Sequence, residues 1–271
     1  MPEKEYFGYV NSDYLKTIAL KFKPLKERSY ELMHLQTGYK VIDLGCGSGM
    51  DTIPLAKFVG ITGRVIGIDT DSQMIAIANK NAREVDVAEI VTHEHHDAIS
   101  LPFDSDYFDA CHTERLFQHL TNPEKVLSEM VRITKPGGWI VVVDTDHSSL
   151  SIDNSVTDVE WKLRRFRTEK FKDGYAGRKL YRWFKQQNIS DITVEIFPFF
   201  STDYKLIRYW ALLDDGERRS VAAGIITKEE LQCWHTDLEQ ADEDGVFFAS
   251  FTMIIVAGRK TENKNSVVKQ K

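Results

Sequence analysis

The sequence predicts an α/β fold built around a mostly parallel β-sheet. Short apolar runs alternate with amphipathic segments through the first half of the chain, which is the pattern of consecutive β-α-β units. These runs are continuously apolar, as expected for strands that are buried on both faces. Hydrophobic residues make up 42% of the 271 residues, which is enough for a sizeable core.

Five strands and the helices between them are predicted in the first half. The strand segments are KVIDLG, VIGID, AEIVTHEHHD, YFDACHT and WIVVVD. Helices are predicted in MDTIPLAKFV, DSQMIAIANKNAREV and NPEKVLSEMVRIT, because apolar residues recur there at helical spacing. Asp71 or Ser72 can cap the second of these helices, and KPGG is a turn signal before the fifth strand.

The second half is predicted to be more helical, and the whole chain is predicted to form one domain. Helices are expected at 156–172, in GRKLYRWFKQQNI, and near 204–213, 216–223 and 227–241. The segments ITVEIF and VFFASFTMIIVAGRK are predicted as the sixth strand and a long final strand. We divide residues 1–271 into an N-terminal helical cap at 1–37, a core at 38–202 and 246–260, a helical lid insertion at 203–245 and a disordered tail at 261–271.

Composition and charge narrow the class of protein. The formal net charge of −6 disfavours a dedicated nucleic-acid-binding protein, which would usually be basic. Three widely spaced cysteines argue against a disulfide framework or a zinc module. No apolar segment has the length of a membrane span or the position of a secretory signal, so we expect a soluble cytoplasmic protein with no membrane partner.

Three glycines at alternate positions, Gly45, Gly47 and Gly49, directly follow the first predicted strand. In an open parallel sheet, ligands bind beyond the carboxyl ends of the strands, and glycines there allow a tight turn and close approach to the backbone. A sharp turn without a ligand is the alternative, but three such glycines favour a bound ligand. Their spacing differs from the GxGxxG pattern of dinucleotide sites, because the third glycine comes one position early.

Carboxylates end the next two predicted strands. Asp69 ends VIGID, where an acid can accept hydrogen bonds from ribose hydroxyls of either a dinucleotide or a simpler nucleoside ligand. Asp97 ends the third strand, where an ionised carboxylate can accept a hydrogen bond from an adenine amino group. Dinucleotide sites do not require that second acid, so Asp97 favours the simpler nucleoside.

Taken in order, four segments resemble the successive motifs of class I S-adenosylmethionine-dependent methyltransferases, and most of all the small-molecule branch called type 11 or UbiE-like. The segments are VIDLGCGSG, GID, DAISLPFDSDYFDAC and ITKPGGWIVVVD. The resemblance implies a Rossmann-like sheet of seven strands, with the last strand antiparallel and placed between the fifth and the sixth. It also implies S-adenosylmethionine as cofactor and S-adenosylhomocysteine as product.

The resemblance assigns roles to individual residues. It places Asp43 and the loop of Gly45, Gly47 and Gly49 against the methionine part of the cofactor, Asp69 at the ribose, Asp97 at the adenine amino group and the backbone of Ala98 at a ring nitrogen. The segment TERLFQHL resembles a family segment that borders the sulfonium. On that basis Thr113, Arg115 and Gln118 are also predicted to contact the cofactor.

Methyl transfer by in-line displacement depends chiefly on alignment of donor and acceptor, and a general base is needed only for an acceptor that loses a proton. His119 and His147 are the candidate catalytic bases, because both are predicted near the carboxyl ends of the fourth and fifth strands. A purely structural hydrogen-bonding role is the alternative for each. In THEHHD, His93 and His95 share a strand face but His96 does not, and Asp97 is assigned to adenine, so no metal is predicted.

The predicted acceptor is a small, partly apolar or aromatic metabolite, because aromatic residues are frequent in the N-terminal helices and in the 203–243 segment. The basic stretch at 156–185 favours a solvated helix face first, then an anionic small molecule, then RNA. An RNA or protein methyltransferase and a cofactor-binding protein without catalysis remain as alternatives, with an NAD-dependent oxidoreductase behind them. The helical additions could cover a pocket or form a homodimer interface.

Overall fold

The computed structural model describes residues 21–262. The first part of the expected N-terminal helical cap and most of the expected C-terminal tail lie outside the described residues. Among the described residues, no helix is both long and apolar enough to cross a membrane.

The described chain alternates strands and helices and then ends in a long strand. The helices are α1 Lys23–Glu31, α2 Thr52–Val59, α3 Ser72–Glu84, α4 Pro123–Ile133, α5 Thr157–Lys170, α6 Ala176–Gln186, α7 Tyr204–Trp210, α8 Leu213–Ala222 and α9 Lys228–Glu243. The strands are β1 Lys40–Leu44, β2 Arg64–Asp69, β3 Val91–His95, β4 Phe108–Glu114, β5 Thr134–Ile152, β6 Ser190–Ser201 and β7 Ala249–Arg259. A short 3₁₀-helix spans Phe117–His119.

The strands form one seven-stranded sheet in the order β3-β2-β1-β4-β5-β7-β6, which confirms the predicted Rossmann-like α/β fold. Neighbouring strands from β3 to β5 are parallel. β7 is antiparallel to both β5 and β6 and lies between them, as the resemblance implies. The strand order reverses between β1 and β4, and this switch point is where ligands bind in open α/β sheets.

Helices cover both faces of the sheet, and two apolar clusters form the core. Along β1, Val41 packs into one cluster, whereas Ile42 and Leu44 pack into the other. This alternation follows from the two-residue period of a strand, and it explains why the strands read as continuous apolar runs.

The structure extends two of the predicted strands. β5 begins at Thr134 instead of near Trp139, because the KPGG segment forms an irregular insertion in the strand instead of a turn before it. Gly137 has a φ of +76° there, and its N–H donates to the Lys260 carbonyl at 2.8 Å. β6 continues to Ser201, because it pairs with β7 along most of its length.

Candidate active site

A cleft of about 460 Å³ lies beyond the carboxyl ends of β1 to β4. Its position at the switch point of the sheet is the expected one for a ligand. Seven of the residues predicted from the sequence line it: Gly45, Gly47, Asp69, Asp97, Ala98, Arg115 and His119. The sequence therefore locates part of this cleft, and the remaining lining residues, among them Met74, Leu116 and Lys172, were not predicted.

The loop after β1 explains why glycine occurs at alternate positions. Gly45, Gly47 and Gly49 have φ values of +70°, +51° and +87°, a backbone conformation that other residues adopt only with strain. Gly45 and Gly47 line the cleft, but Gly49 lies behind the loop. A Cβ on Gly49 would lie 3.1 Å from His93 Nε2, so this glycine permits close packing instead of reaching the cleft.

Asp69 ties the glycine loop to the next helix. One carboxylate oxygen accepts a hydrogen bond from the Gly47 N–H at 2.9 Å, and the other accepts one from the Asp71 N–H at 2.9 Å. Asp71 in turn caps α3, accepting from the Gln73 and Met74 N–H groups. Asp69 is half-buried and faces the cleft, so its remaining lone pairs can accept from ligand hydroxyl groups.

Asp97 follows β3 and lines the same cleft as the glycine loop. It is exposed, and one oxygen accepts a hydrogen bond from the Ile99 N–H at 3.0 Å, which holds the turn after β3. Ala98 is buried beside it. Met74 and Ile99 line the same cleft and add apolar surface to it, which suits a flat ring system.

A second, mainly apolar cavity adjoins the cleft, and Arg115 lines both. Aromatic and aliphatic side chains from several elements form its walls: Phe22, Phe171, Trp210, Phe251, Leu150, Ala211 and Leu212. Its polar lining consists of Arg115, Gln118, Thr145, His147 and Arg167. The predicted residues Gln118 and His147 therefore lie in this second cavity, not in the first cleft.

Gln118 connects the two candidate histidines. Its Oε1 lies 2.5 Å from His147 Nε2, and its Nε2 lies 3.0 Å from His119 Nε2. An amide can satisfy both contacts only if His147 donates through Nε2 and His119 accepts through Nε2, so these bonds define the tautomers. The His147 ring also stacks on Phe171, with centroids 3.7 Å apart.

Both histidines are neutral at physiological pH. Burial, followed by the charges of Arg115 and Lys172, lowers the pKa of His119 to about 4. Burial, followed by the charges of Arg167, His119 and Arg115, lowers the pKa of His147 well below its usual value. Either ring is therefore a weak proton acceptor, since an efficient general base has a pKa near the working pH.

Asp43 and Thr113 lie beneath the cleft and do not line it. Asp43 is buried against His112, with its Oδ1 2.8 Å from His112 Nδ1, and burial raises the pKa of Asp43 to about 6. Thr113 is fully buried, and its hydroxyl donates to the Leu44 carbonyl at 2.8 Å. These side chains hold β1 and β4 together at the base of the site.

A buried charged group that sequence reasoning missed lies under α1. Lys26 Nζ donates to both oxygens of Asp51 and to Glu114 Oε2, all at 2.8 Å. The Tyr30 hydroxyl donates to Asp51 Oδ1 at 2.6 Å. No local pattern reveals this group, because Lys26 and Glu114 are separated by 88 positions and meet only in the folded chain.

The histidine segment of β3 has structural contacts. His93 Nε2 lies 2.7 Å from Thr52 Oγ1, and burial lowers the pKa of His93 to about 4. His95 Nε2 lies 3.0 Å from the Thr70 carbonyl, and His96 Nε2 lies 3.3 Å from Glu94. Within residues 21–262, no group of three or more His, Cys, Asp or Glu side chains is arranged to hold a metal ion.

The sheet order and the cleft define a class of protein, namely open α/β folds with a cleft at the switch point, where such folds bind their ligands. Residues 35–188, more than half of the chain, match the family model described as a methyltransferase domain. The chain belongs to this family and is a class I S-adenosylmethionine-dependent methyltransferase.

The chain is also similar to individual proteins and to solved structures. The chain is 31% identical over 240 residues to an uncharacterized 37.1 kDa protein in a Streptomyces fradiae transposon, covering 86% of this chain and 68% of the relative. It is 29% identical over 210 residues to a demethylmenaquinone methyltransferase of Lactococcus lactis, covering 76% and 79% of the two chains. The crystal structure of the YcgJ protein of Bacillus subtilis shares the fold, with a TM-score of 0.63, 19% identity and coverage of 88% and 98%.

Proposed function

We propose that this protein transfers a methyl group from S-adenosylmethionine to a small, partly apolar or aromatic metabolite. The observation that carries the proposal is the adjacency of two cavities. A cleft with carboxylates at two strand ends meets an apolar cavity at the shared side chain of Arg115. A cofactor in the first and an acceptor in the second would meet at that point.

The residues of the cleft fit the proposed cofactor. The left-handed glycines Gly45 and Gly47 place bare backbone at the cleft wall, where a side chain would stand in the way. We assign Asp69 to the ribose hydroxyls, and Asp97 with the backbone of Ala98 to the adenine. Asp43, Gly49 and Thr113 support the loop and strands from behind in this proposal, and Gln118 stands at the acceptor side.

Alignment is the main catalytic task of this site. When bound, S-adenosylmethionine supplies a methyl group that its sulfonium makes electrophilic. The chain's own residues hold the two reactants in line and keep water out, and orientation of this kind can supply several kcal/mol of barrier reduction. Arg115 is placed for this role because it lines both cavities, and Gln118 because its side chain contacts His119 of the cleft and His147 of the second cavity.

We propose that His147 faces the acceptor, and that His119, on the cofactor side, holds His147 in position through Gln118. His147 lines the apolar cavity and His119 lines the cleft, and Gln118 bridges them. Since both rings are neutral, they act as oriented hydrogen-bonding groups at neutral pH. A proton that leaves the acceptor would go to an imidazole nitrogen only if the acceptor is itself acidic.

The relatives support an acceptor with an apolar ring system. Curated relatives are named demethylmenaquinone methyltransferases and a 2-phytyl-1,4-naphtoquinone methyltransferase. The aromatic walls of the second cavity, formed by Phe22, Trp210 and Phe251, suit a molecule of that chemical type.

Cofactor binding is tested by calorimetry with S-adenosylhomocysteine and with NAD. We expect binding of the first only, and roughly tenfold or greater weakening in Asp69→Asn and in Asp97→Asn, because each removes a charged hydrogen-bond acceptor. Asp242→Asn, on the exposed surface of α9, is the matched control and should bind normally. Binding of NAD alone, or normal affinity in both cleft variants, would contradict the proposal.

Turnover needs a separate assay. A labelled methyl donor is offered with a small-molecule metabolite extract, with total RNA and with protein. We expect label in the small-molecule fraction. Label only in RNA or protein would favour the corresponding alternative, and cofactor binding without any transfer would favour a non-catalytic binding protein.

A further inference from the structure

We propose that the methyl acceptor carries a hydroxyl group on its apolar body, and that Thr145 and His147 bind this hydroxyl in the second cavity. The inference rests on the proposed function, since it describes the acceptor of the same site. It narrows the substrate class from any apolar metabolite to one with a hydroxyl group, and a phenol is the type that suits aromatic walls.

Thr145 brings a hydroxyl group without a protein partner to the wall of this cavity. The residue lies in β5, is only 6% exposed and lines the cavity. Its backbone N–H donates to Asp144 Oδ1 at 2.7 Å, but its side-chain hydroxyl has no hydrogen-bond partner among residues 21–262. Since buried polar groups are almost always hydrogen-bonded, this hydroxyl is available to a ligand.

Two nearby hydroxyl groups of β5 are paired within the protein. Ser148 Oγ donates to Asp146 Oδ1 at 2.9 Å, and Ser149 Oγ donates to the Asp146 carbonyl at 2.6 Å. Neither serine lines the cavity. Of these three hydroxyl groups, the one at the cavity wall, that of Thr145, is the one without a partner in the described part of the chain.

His147 adds a hydrogen-bond acceptor to the same wall. Gln118 Nε2 donates to the Arg115 carbonyl at 3.2 Å, so the other end of the amide, Oε1, is the atom that lies 2.5 Å from His147 Nε2. Because Oε1 only accepts, His147 Nε2 carries the proton. The ring is neutral, since burial lowers the pKa of His147 well below its usual value, so its other nitrogen, Nδ1, is an acceptor.

Together these two side chains match a hydroxyl group. Thr145 and His147 are two residues apart in the chain, and both line the cavity. A ligand hydroxyl can donate to His147 Nδ1 and accept from the Thr145 hydroxyl at the same time, whereas a carbonyl or ether oxygen only accepts. Phe22, Leu150 and Phe251 provide apolar surface for the rest of the molecule.

Part of the polar lining also connects this cavity to the cofactor cleft. Arg115 lines both cavities, and Gln118, which binds His147, contacts His119 of the cleft. A hydroxyl held by Thr145 and His147 therefore orients the acceptor relative to the methyl donor. We regard Thr145 as a residue that positions and selects the acceptor.

The test measures the affinity of three small probes for the full-length protein saturated with S-adenosylhomocysteine, by ligand-observed NMR titration. Phenol and toluene have similar shapes, but toluene lacks the hydroxyl. Anisole keeps an oxygen that accepts but cannot donate. We expect phenol to bind more tightly than either, although both others are more apolar.

Variants of the two residues make the test specific. Thr145→Val should lower the ratio of phenol to toluene affinity roughly tenfold, as one lost hydrogen bond would, and Thr145→Ser should keep most of it. His147→Phe retains a ring to stack on Phe171 but lacks Nδ1, so it should lose the preference for phenol over anisole. Thr236→Val, on the exposed surface of α9, is the matched control and should change neither ratio.

A stability measurement separates a role in binding from a role in the fold. Thr145→Val should leave the urea midpoint unchanged or raise it, because the hydroxyl has no partner to lose in the described chain. Binding of S-adenosylhomocysteine to each variant reports whether the cofactor cleft is intact.

Four results would overturn the inference: phenol binding no tighter than toluene binding in the wild type, no detectable phenol binding, an unchanged ratio in Thr145→Val, or a lowered urea midpoint in that variant. The proposed function fails differently, through loss of S-adenosylhomocysteine binding or of methyl transfer in the wild type. The two failures are therefore distinguishable.

Discussion

At the scale of a single residue, the buried carboxyl group of Asp144 positions the segment that carries Gln118 and His119. It lies in β5 and is fully buried. Its two oxygens accept hydrogen bonds from the Thr145 N–H at 2.7 Å and the Gln118 N–H at 3.1 Å. The second bond holds the 3₁₀-helix that carries Gln118 and His119. Burial, only partly offset by these bonds, raises the pKa of Asp144 to about 7.

This raised pKa predicts a pH-dependent effect of Asp144→Asn. The folded protein holds the proton up to about pH 7, whereas the unfolded chain releases it near the ordinary pKa of 3.8. The wild type therefore loses stability relative to the Asn variant as the pH rises between these values. The upper limit is roughly 4 kcal/mol, at about 1.4 kcal/mol per pKa unit. Urea unfolding of both proteins at pH 5 and pH 8 measures the change, and a constant difference would contradict it.

At the scale of an element, α1 is attached to the sheet by charge as well as by apolar packing. Leu25 of α1 and Met33 just after it pack into the core, while Lys26 reaches Asp51 at the start of α2 and Glu114 at the end of β4. Burial opposes the charge on Lys26, but the two carboxylates keep its pKa above the usual value. The helix is thereby tied to the start of α2 and to the end of β4.

Removal of this cation should be costly. We expect Lys26→Met to lower the free energy of unfolding by about 3–5 kcal/mol, because two buried carboxylates lose their partner. Lys23→Met on the same helix is the control. The Lys23 side chain is 67% exposed in a pair with Glu27, so little change is expected.

A combined variant separates loss of charge from loss of packing. Lys26→Met together with Asp51→Asn and Glu114→Gln should recover part of the stability, since no unpaired charge remains. Urea denaturation measures the free energy of unfolding of the wild type, of Lys23→Met, of Lys26→Met and of the combined variant. Equal losses in Lys23→Met and Lys26→Met would show that the buried group does not hold the helix.

The sequence allowed prediction of the parts of the site that depend on local order. Asp69 and Asp97 could be predicted to line the cleft because each follows or ends a strand, and the carboxyl ends of the strands form the cleft. The glycine loop could be predicted because its left-handed backbone positions favour glycine. Arg167 and Lys26 were not identified, because their neighbours come from distant segments. That Gln118 contacts the cofactor stays a prediction, and in the structure its side chain lies between the two histidines.

At the scale of the whole molecule, the last described strand, β7, lies inside the sheet and joins β5 to β6. β7 pairs with β5 from Trp139 to Ile152 and with β6 from Ser190 to Ser201. Periodicity predicted a long final strand, but only the family resemblance predicted its place, because strand order depends on contacts between distant segments. Residues 35–188 match the family, yet the fold also needs the β6 and β7 segments beyond them.

This topology predicts which end of the chain can be shortened. A chain that ends at Gly245 lacks β7, so β5 loses its antiparallel neighbour and β6 loses its only partner in the described sheet. Buried β7 residues such as Met253 and Ile255 would also leave cavities in the core. We expect this chain to lose the cooperative urea transition and S-adenosylhomocysteine binding, whereas a chain that ends at Glu262 should keep both. Circular dichroism and calorimetry on the two chains decide the matter. A cooperative transition in the shorter chain would show that the parallel half of the sheet folds without β7, which the pairing on both sides of that strand argues against.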